Sequence, residues 1–236
     1  MNPLRTTTWG EGDRIAVLLH GMMGSAQQYH RVGPALADRG YRAIGVDLPG
    51  HGNSPTAESD LATWAVAVAA SVPANPALAI GQSLGGVVLA AALPALQPAR
   101  AVYVDIPLTA PASSPQTAAD LTAKFAAARA GRTVEALRRT KPTWSDTDRE
   151  VEAAAAKQFD IPTAVALELA YTEHPPFTPD VLIHAAPSRY VTPTRAAELR
   201  TLGFDVRAIP DADHTIWYSQ FAEFLSALDE VVANDT

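Results

Sequence analysis

The sequence predicts an α/β fold: a mostly parallel sheet with helices on both faces. Three observations lead there. Short runs rich in β-branched residues are apolar almost throughout rather than alternating, as in strands buried on both sides. Ala- and Leu-rich stretches of helical period separate them, the order expected of an α/β layered domain. The 236 residues are long enough for one well-buried core and short for two full domains.

In chain order, Arg14 to His20 reads as a buried strand, and Ser25 to Arg39 as a helix ended by Gly40. Tyr41 to Asp47 is a second strand, and Leu48 to Pro55 a Gly/Pro-rich loop. Asp60 to Val72 is a helix with Asp60 as its N-cap. Ala77 to Gln82 is a short strand that runs directly into a helix from Ser83 to about Ala92, and Ala101 to Asp105 is the fourth strand. The alternation then stops, with no convincing strand from Leu108 to Asp180. Helices are expected at Ala118 to Ala130, Asp146 to Phe159 and Thr163 to Tyr171; Ser145 followed by Asp148 marks the start of the second. The pattern resumes with a strand at Val181 to Ala186, a helix from about Pro193, a strand near Phe204 to Ile209, and a closing helix from about Ile216 to Val231. The expected organisation is a core formed by residues 1–108 and 177–236, with residues 109–176 as an inserted helical cap.

Composition narrows the function. Apolar residues make up 47% and charged residues 18%, which argues against disorder. The net charge of −7 disfavours nucleic acid and anionic membranes as partners. The absence of cysteine excludes disulfides, thiolate metal sites and cysteine nucleophiles. No signal-peptide-length apolar stretch opens the chain and no window resembles a membrane helix, so a cytoplasmic protein is the expectation. No metal-ligand set and no cofactor motif appears: the Gly-rich loops match neither nucleotide-binding pattern.

The strongest chemical signal is Gly81-Gln82-Ser83-Leu84-Gly85, followed by Gly86, at the junction of an apolar strand and an Ala/Leu helix. A sharp turn there presents a serine oxygen outward at the sheet's C-terminal edge. The glycines leave room for the turn, and the Leu84 N–H at the helix start can donate to a developing oxyanion. Leu19-His20-Gly21-Met22, Asp47-Leu48-Pro49-Gly50-His51-Gly52-Asn53-Ser54, this elbow, and Asp213-His214 together resemble the α/β-hydrolase superfamily, in its esterase, lipase and C–C hydrolase branch. The likeness spans most of the chain outside the expected cap.

The resemblance implies an α/β-hydrolase sheet and a cofactor-free serine hydrolase with Ser83 as nucleophile. It implies His214, in a polar loop before the last helix, as the base, and the Met22 N–H as the second oxyanion donor. Gly21 and Met23 would flank the substrate, while His20 and His51 carry structural roles. One part of the family pattern is broken. Its usual acid lies in a G-x-x-D-x-x-V stretch, where this chain has Ala185-Ala186-Pro187-Ser188-Arg189-Tyr190-Val191, with Ser188 at the acid position. Asp105 ends the strand after the nucleophile helix, a location some members use, and preserves the order nucleophile, acid, histidine. Asp213, Asp211 and Asp205 are lesser candidates, and a dyad without an acid is the remaining option.

Trp144 and Tyr171, with Phe125, Phe159 and Phe177, supply aromatic side chains in or beside the cap. They favour a small, largely apolar carboxylic ester or lactone as substrate. C–C bond or thioester hydrolysis on the same triad, or a non-catalytic small-molecule-binding protein, are the alternatives. The oligomeric state stays open, with a homodimer among the options.

Overall fold

A computed structural model describes residues 3–56, 60–109, 116–170 and 177–233. The N-terminal region supplies β1 (Thr6–Trp9), β2 (Arg14–Leu19), a 3-10 turn (Ala26–Tyr29), α1 (Val32–Ala37), β3 (Tyr41–Val46) and α2 (Leu61–Ser71). Next come β4 (Leu78–Gln82), α3 (Leu84–Leu96) and β5 (Arg100–Val104). Four helices follow: α4 (Ala118–Ala130), α5 (Val134–Thr140), α6 (Asp146–Lys157) and α7 (Ile161–Ala170). The chain closes with β6 (Val181–Ala186), α8 (Pro193–Thr201), β7 (Asp205–Pro210), α9 (Ile216–Ser219) and α10 (Phe221–Ala233).

The seven strands form one sheet in the order β1-β3-β2-β4-β5-β6-β7, parallel except for β1, which runs antiparallel on β3. Side chains alternate between two packed faces, as the two-residue period of a strand requires. On β2, Ile15, Val17 and Leu19 join one core with Trp64, Val68 and Val88. Ala16 and Leu18 join the other with Val32, Leu36, Trp217 and Phe224. Covering both faces explains why the strands read as unbroken apolar runs. A third cluster, of Met23, Leu121, Phe125, Phe159, Ile161, Ala164 and Val165, packs α4 and α7 against the loop after β2.

Several boundaries differ from the sequence reading. β1 has no apolar run because it is a partly exposed edge strand of three threonines and a tryptophan. The single helix expected at Ser25 to Arg39 is a 3-10 turn followed by the short α1. The closing helix is interrupted at Gln220, between α9 and α10. α5 was not expected: it is seven residues long and buries only Leu137. The local signals that do hold are caps. Asp60 accepts from the Thr63 N–H, and Ser145 forms a reciprocal capping box with Asp148, each such cap contributing about 1 kcal/mol.

Strand register sets the functional edge. Gln82 at the end of β4 pairs with Val104 on β5, which pairs with Ile183 on β6. The ladder continues one residue further, since the Ser83 N–H donates to the Val104 carbonyl and the Asp105 N–H to the Ile183 carbonyl. Ser83 and Asp105 therefore leave neighbouring strands side by side at the C-terminal edge of the sheet. His214 enters the same edge from four residues beyond the end of β7.

Candidate active site

Ser83 sits at φ +50°, ψ −117°, between β4 and α3. A positive φ is costly for a residue with a Cβ, and the surrounding close packing imposes it. A Cβ on Gly85 would strike the Leu19 and His20 carbonyls, and one on Gly81 would lie 2.7 Å from the Gly86 Cα. Only glycine lets α3 approach the strands this closely. Ser83 occupies the N-cap position of α3, but its hydroxyl caps nothing. The Ser83 carbonyl takes the Gly86 and Val87 N–H groups, and the Leu84 N–H belongs to the first turn, where helices have no partner of their own.

Met22 lies in a turn closed by the Gly24 N–H donating to the Gly21 carbonyl at 3.0 Å. Met22 lines the same cavity as Ser83 and Leu84. Met23 takes the positive-φ position (+64°) and is buried with Phe125 and Phe159, behind the cavity wall rather than on it. A Cβ on Gly21 would collide with the Gln82 side-chain oxygen and come within 3.3 Å of the Ser83 Cβ. The loop is held from the helical segment: Arg132 reaches the Met22 carbonyl at 3.4 Å and Glu152 on α6 at 3.2 Å.

His214 Nδ1 lies 2.6 Å from Asp105 Oδ2. Asp105 is buried, at φ +45°, and its other oxygen accepts the Ala185 N–H at 3.2 Å. The carboxylate is thus oriented from β6 while it faces the imidazole. The other acidic candidates point elsewhere. Asp213 accepts from Lys141 Nζ at 2.7 Å and the Trp144 indole at 2.8 Å, and its backbone N–H donates to Ser219 Oγ. Asp205 pairs with Arg207 on the surface, and Asp211 is exposed. Ser188, at the family's acid position, accepts the Tyr190 and Val191 N–H groups, both at 3.0 Å, and so folds its own turn.

Trp144, expected at the substrate, does not line the cavity. Its ring packs against Tyr218 at 4.9 Å and its N–H is taken by Asp213, since a buried indole N–H needs a partner. Tyr171 lies outside the described residues. Lys141 and Trp144, both between β5 and β6, instead tether the residue next to His214. Asp213→Ala is expected to lower kcat no more than about tenfold, the scale of losing a few partly exposed polar contacts. Steady-state kinetics on an activated ester would check this.

The Ser83 cavity holds about 370 Å³. Its wall is largely apolar and includes Met22, Leu61, Leu84, Val87, Ile106 and Phe125. Tyr190 also lines it, and its ring lies 4.3 Å from the His214 imidazole with a 35° tilt. The sequence reading did not single out Tyr190, although its place just past β6 at the C-terminal sheet edge was a signal.

Two further histidines are structural. His20 Nδ1 meets the Gly21 carbonyl at 2.8 Å and its Nε2 accepts the Leu48 N–H, so the ring is neutral with its proton on Nδ1. Burial pushes His20 down to about 4, against a small opposing effect of the Gly21 carbonyl. Burial, with His20 5.1 Å away, pushes His51 down to about 3. Unfolded, both titrate near 6.5. The stability they contribute is therefore complete above about pH 6.5 and is lost as pH falls towards 4 and then 3. For His20 alone the loss is about 3 kcal/mol. Urea midpoints at pH 7 and pH 4.5 should show it, and His20→Gln should flatten part of the slope.

Among the described residues, no group of three or more His, Asp or Glu side chains could hold a metal ion, and no helix is long and apolar enough to cross a membrane. A profile described as the alpha/beta hydrolase family matches residues 16–227. The chain belongs to that family. Among curated relatives of this chain, a pimeloyl-(acyl-carrier protein) methyl ester esterase of Aeromonas hydrophila is 47% identical over 83 residues, covering 34% of this chain and 32% of the relative. A protein of the same name from Shewanella woodyi is 38% identical over 79 residues, covering 34% and 29%. The matched segment thus spans about a third of the length of these relatives. The hydrolase fold extends over nearly the whole chain. An esterase structure from Thermogutta terrifontis aligns with a TM-score of 0.76 at 19% identity, covering 98% of this chain and 93% of that one. A bromoperoxidase from Bacillus anthracis aligns with the same score and identity, covering 97% and 94%.

Proposed function

We propose that this hydrolase cleaves a small, largely apolar carboxylic ester or lactone through an acyl-enzyme on Ser83. The observation that carries the reading is the buried Asp105 carboxylate on the His214 imidazole, at the edge of the apolar cavity that Ser83 lines. Asp105 holds the His214 proton on Nδ1, which leaves Nε2 free to act as base. His214 takes the Ser83 hydroxyl proton as the oxygen attacks the ester carbonyl. The Leu84 and Met22 N–H groups receive the oxyanion. The tetrahedral adduct collapses as His214 returns the proton to the departing alcohol. A water then attacks the acyl-enzyme by the same route, releasing the acid and restoring Ser83.

The relatives named methyl ester esterases support an ester over the other bonds this chemistry could break. The lining of Met22, Leu84, Val87, Ile106 and Phe125 supports an apolar acyl or alkyl part. Treating the protein with a fluorophosphonate and mapping the modified peptide tests the reading. Addition of one phosphonyl group on Ser83, with a burst of product from an activated ester, is expected. A folded protein that stays unlabelled and shows no burst would instead point to a binding protein on a hydrolase fold.

A further inference from the structure

The cavity wall near Ser83 is apolar, but three charged side chains also line it: Lys124 on α4, Glu168 on α7 and Arg189 in the turn after β6. All three are exposed, and none of them forms an ion pair among the described residues. The two cations nevertheless stay with the wall. Lys124 Nζ lies 5.7 Å from the centre of the Phe125 ring, and Arg189 Cζ lies 4.8 Å from the centre of Tyr190. Both rings line the cavity, and a cation is attracted to an aromatic face. Because the Tyr190 ring is 4.3 Å from the His214 imidazole, the guanidinium lies no more than about 9 Å from that imidazole. Two separate elements thus bring positive charge to the cavity of a chain whose net charge is −7.

We infer that the site selects esters bearing one negative charge at the far end of a short apolar chain, with Arg189 and Lys124 receiving that charge while the ester carbonyl lies at Ser83. The inference rests on the esterase reading above. The guanidinium suits a carboxylate, whose two oxygens match its fork. Glu168 leaves the trio with one net positive charge, which matches a monoanion better than a dianion. The distance limit between Arg189 and His214 restricts the spacer to a few carbons.

The test compares monomethyl esters of C4 to C7 dicarboxylic acids with methyl esters of monocarboxylic acids of equal chain length. The expected wild-type result is a kcat/KM on the order of tenfold higher for the anionic series, shrinking as salt is raised. Within each variant, the ratio between the two series should fall for Arg189→Gln and for Lys124→Gln and approach one in the double variant. Taking the ratio in a single protein cancels any loss of folded fraction. Calorimetric binding of both series to Ser83→Ala gives the same comparison without turnover. Equal binding and turnover of the two series, or a preference that survives in the double variant, overturns the inference. If wild type hydrolyses neither series, the esterase reading fails, and the binding ratio alone decides the anion subsite.

Discussion

Ser83→Ala will lower kcat by about a millionfold, the scale seen when a nucleophile that works as a unit with its base is removed. On the proposed mechanism, His214 then has no hydroxyl to deprotonate and no acyl-enzyme can form. KM should move only a few-fold, because the apolar wall and the Leu84 and Met22 N–H groups remain. A residual rate above that in water is expected from those donors and from binding. Stability should hardly change. The Ser83 hydroxyl caps no helix N–H, and alanine meets the same positive φ as serine. Turnover of an activated ester, with a melting temperature measured beside it, separates lost chemistry from lost fold. A fall of less than a hundredfold in pure protein would mean that another group carries the reaction.

Asp105→Asn is the second large effect, about ten-thousandfold in kcat. The carboxylate accepts two N–H groups, from Ala185 and from His214 Nδ1. An asparagine can keep only one of these with its single carbonyl oxygen. If the oxygen stays on Ala185, the amide NH2 faces His214 and drives the imidazole proton to Nε2. His214 then presents a donor to Ser83, the wrong tautomer for a base. If the amide turns round, a buried Ala185 N–H loses its acceptor, and stability falls by about 1–3 kcal/mol. Kinetics and a urea melt on the same variant distinguish the two arrangements. An Asp105→Asn enzyme with near wild-type kcat would remove Asp105 from the machinery. The far smaller loss expected for Asp213→Ala sets the contrast.

The distribution of what was legible follows from the physics of each feature. Strands such as Leu78–Gln82 and Val181–Ala186 were readable because both faces of the sheet are covered, so their burial is written as continuous apolar runs. β1 was not readable, since a half-exposed edge strand needs no such run. Ser145 and Asp148 were readable as a helix start because a capping box is local. Trp144 was misplaced for the opposite reason: its partner, Asp213, is 69 residues away.

The sequence by itself determined the α/β layering, the elbow around Ser83, and the presence of a histidine before the last helix. These features depend on neighbours within one strand, turn or helix, so their chemistry is encoded at close spacing. Only the tertiary structure decided which acid meets His214, that Ser188 folds a turn, and that the Tyr190 ring packs at a tilt beside the imidazole. The Asp105 contact spans 109 residues. It exists because strand register brings the ends of β4, β5 and β6 together beside the loop after β7. Register is a property of the whole sheet, set by packing on both faces, and no short stretch of the chain carries it.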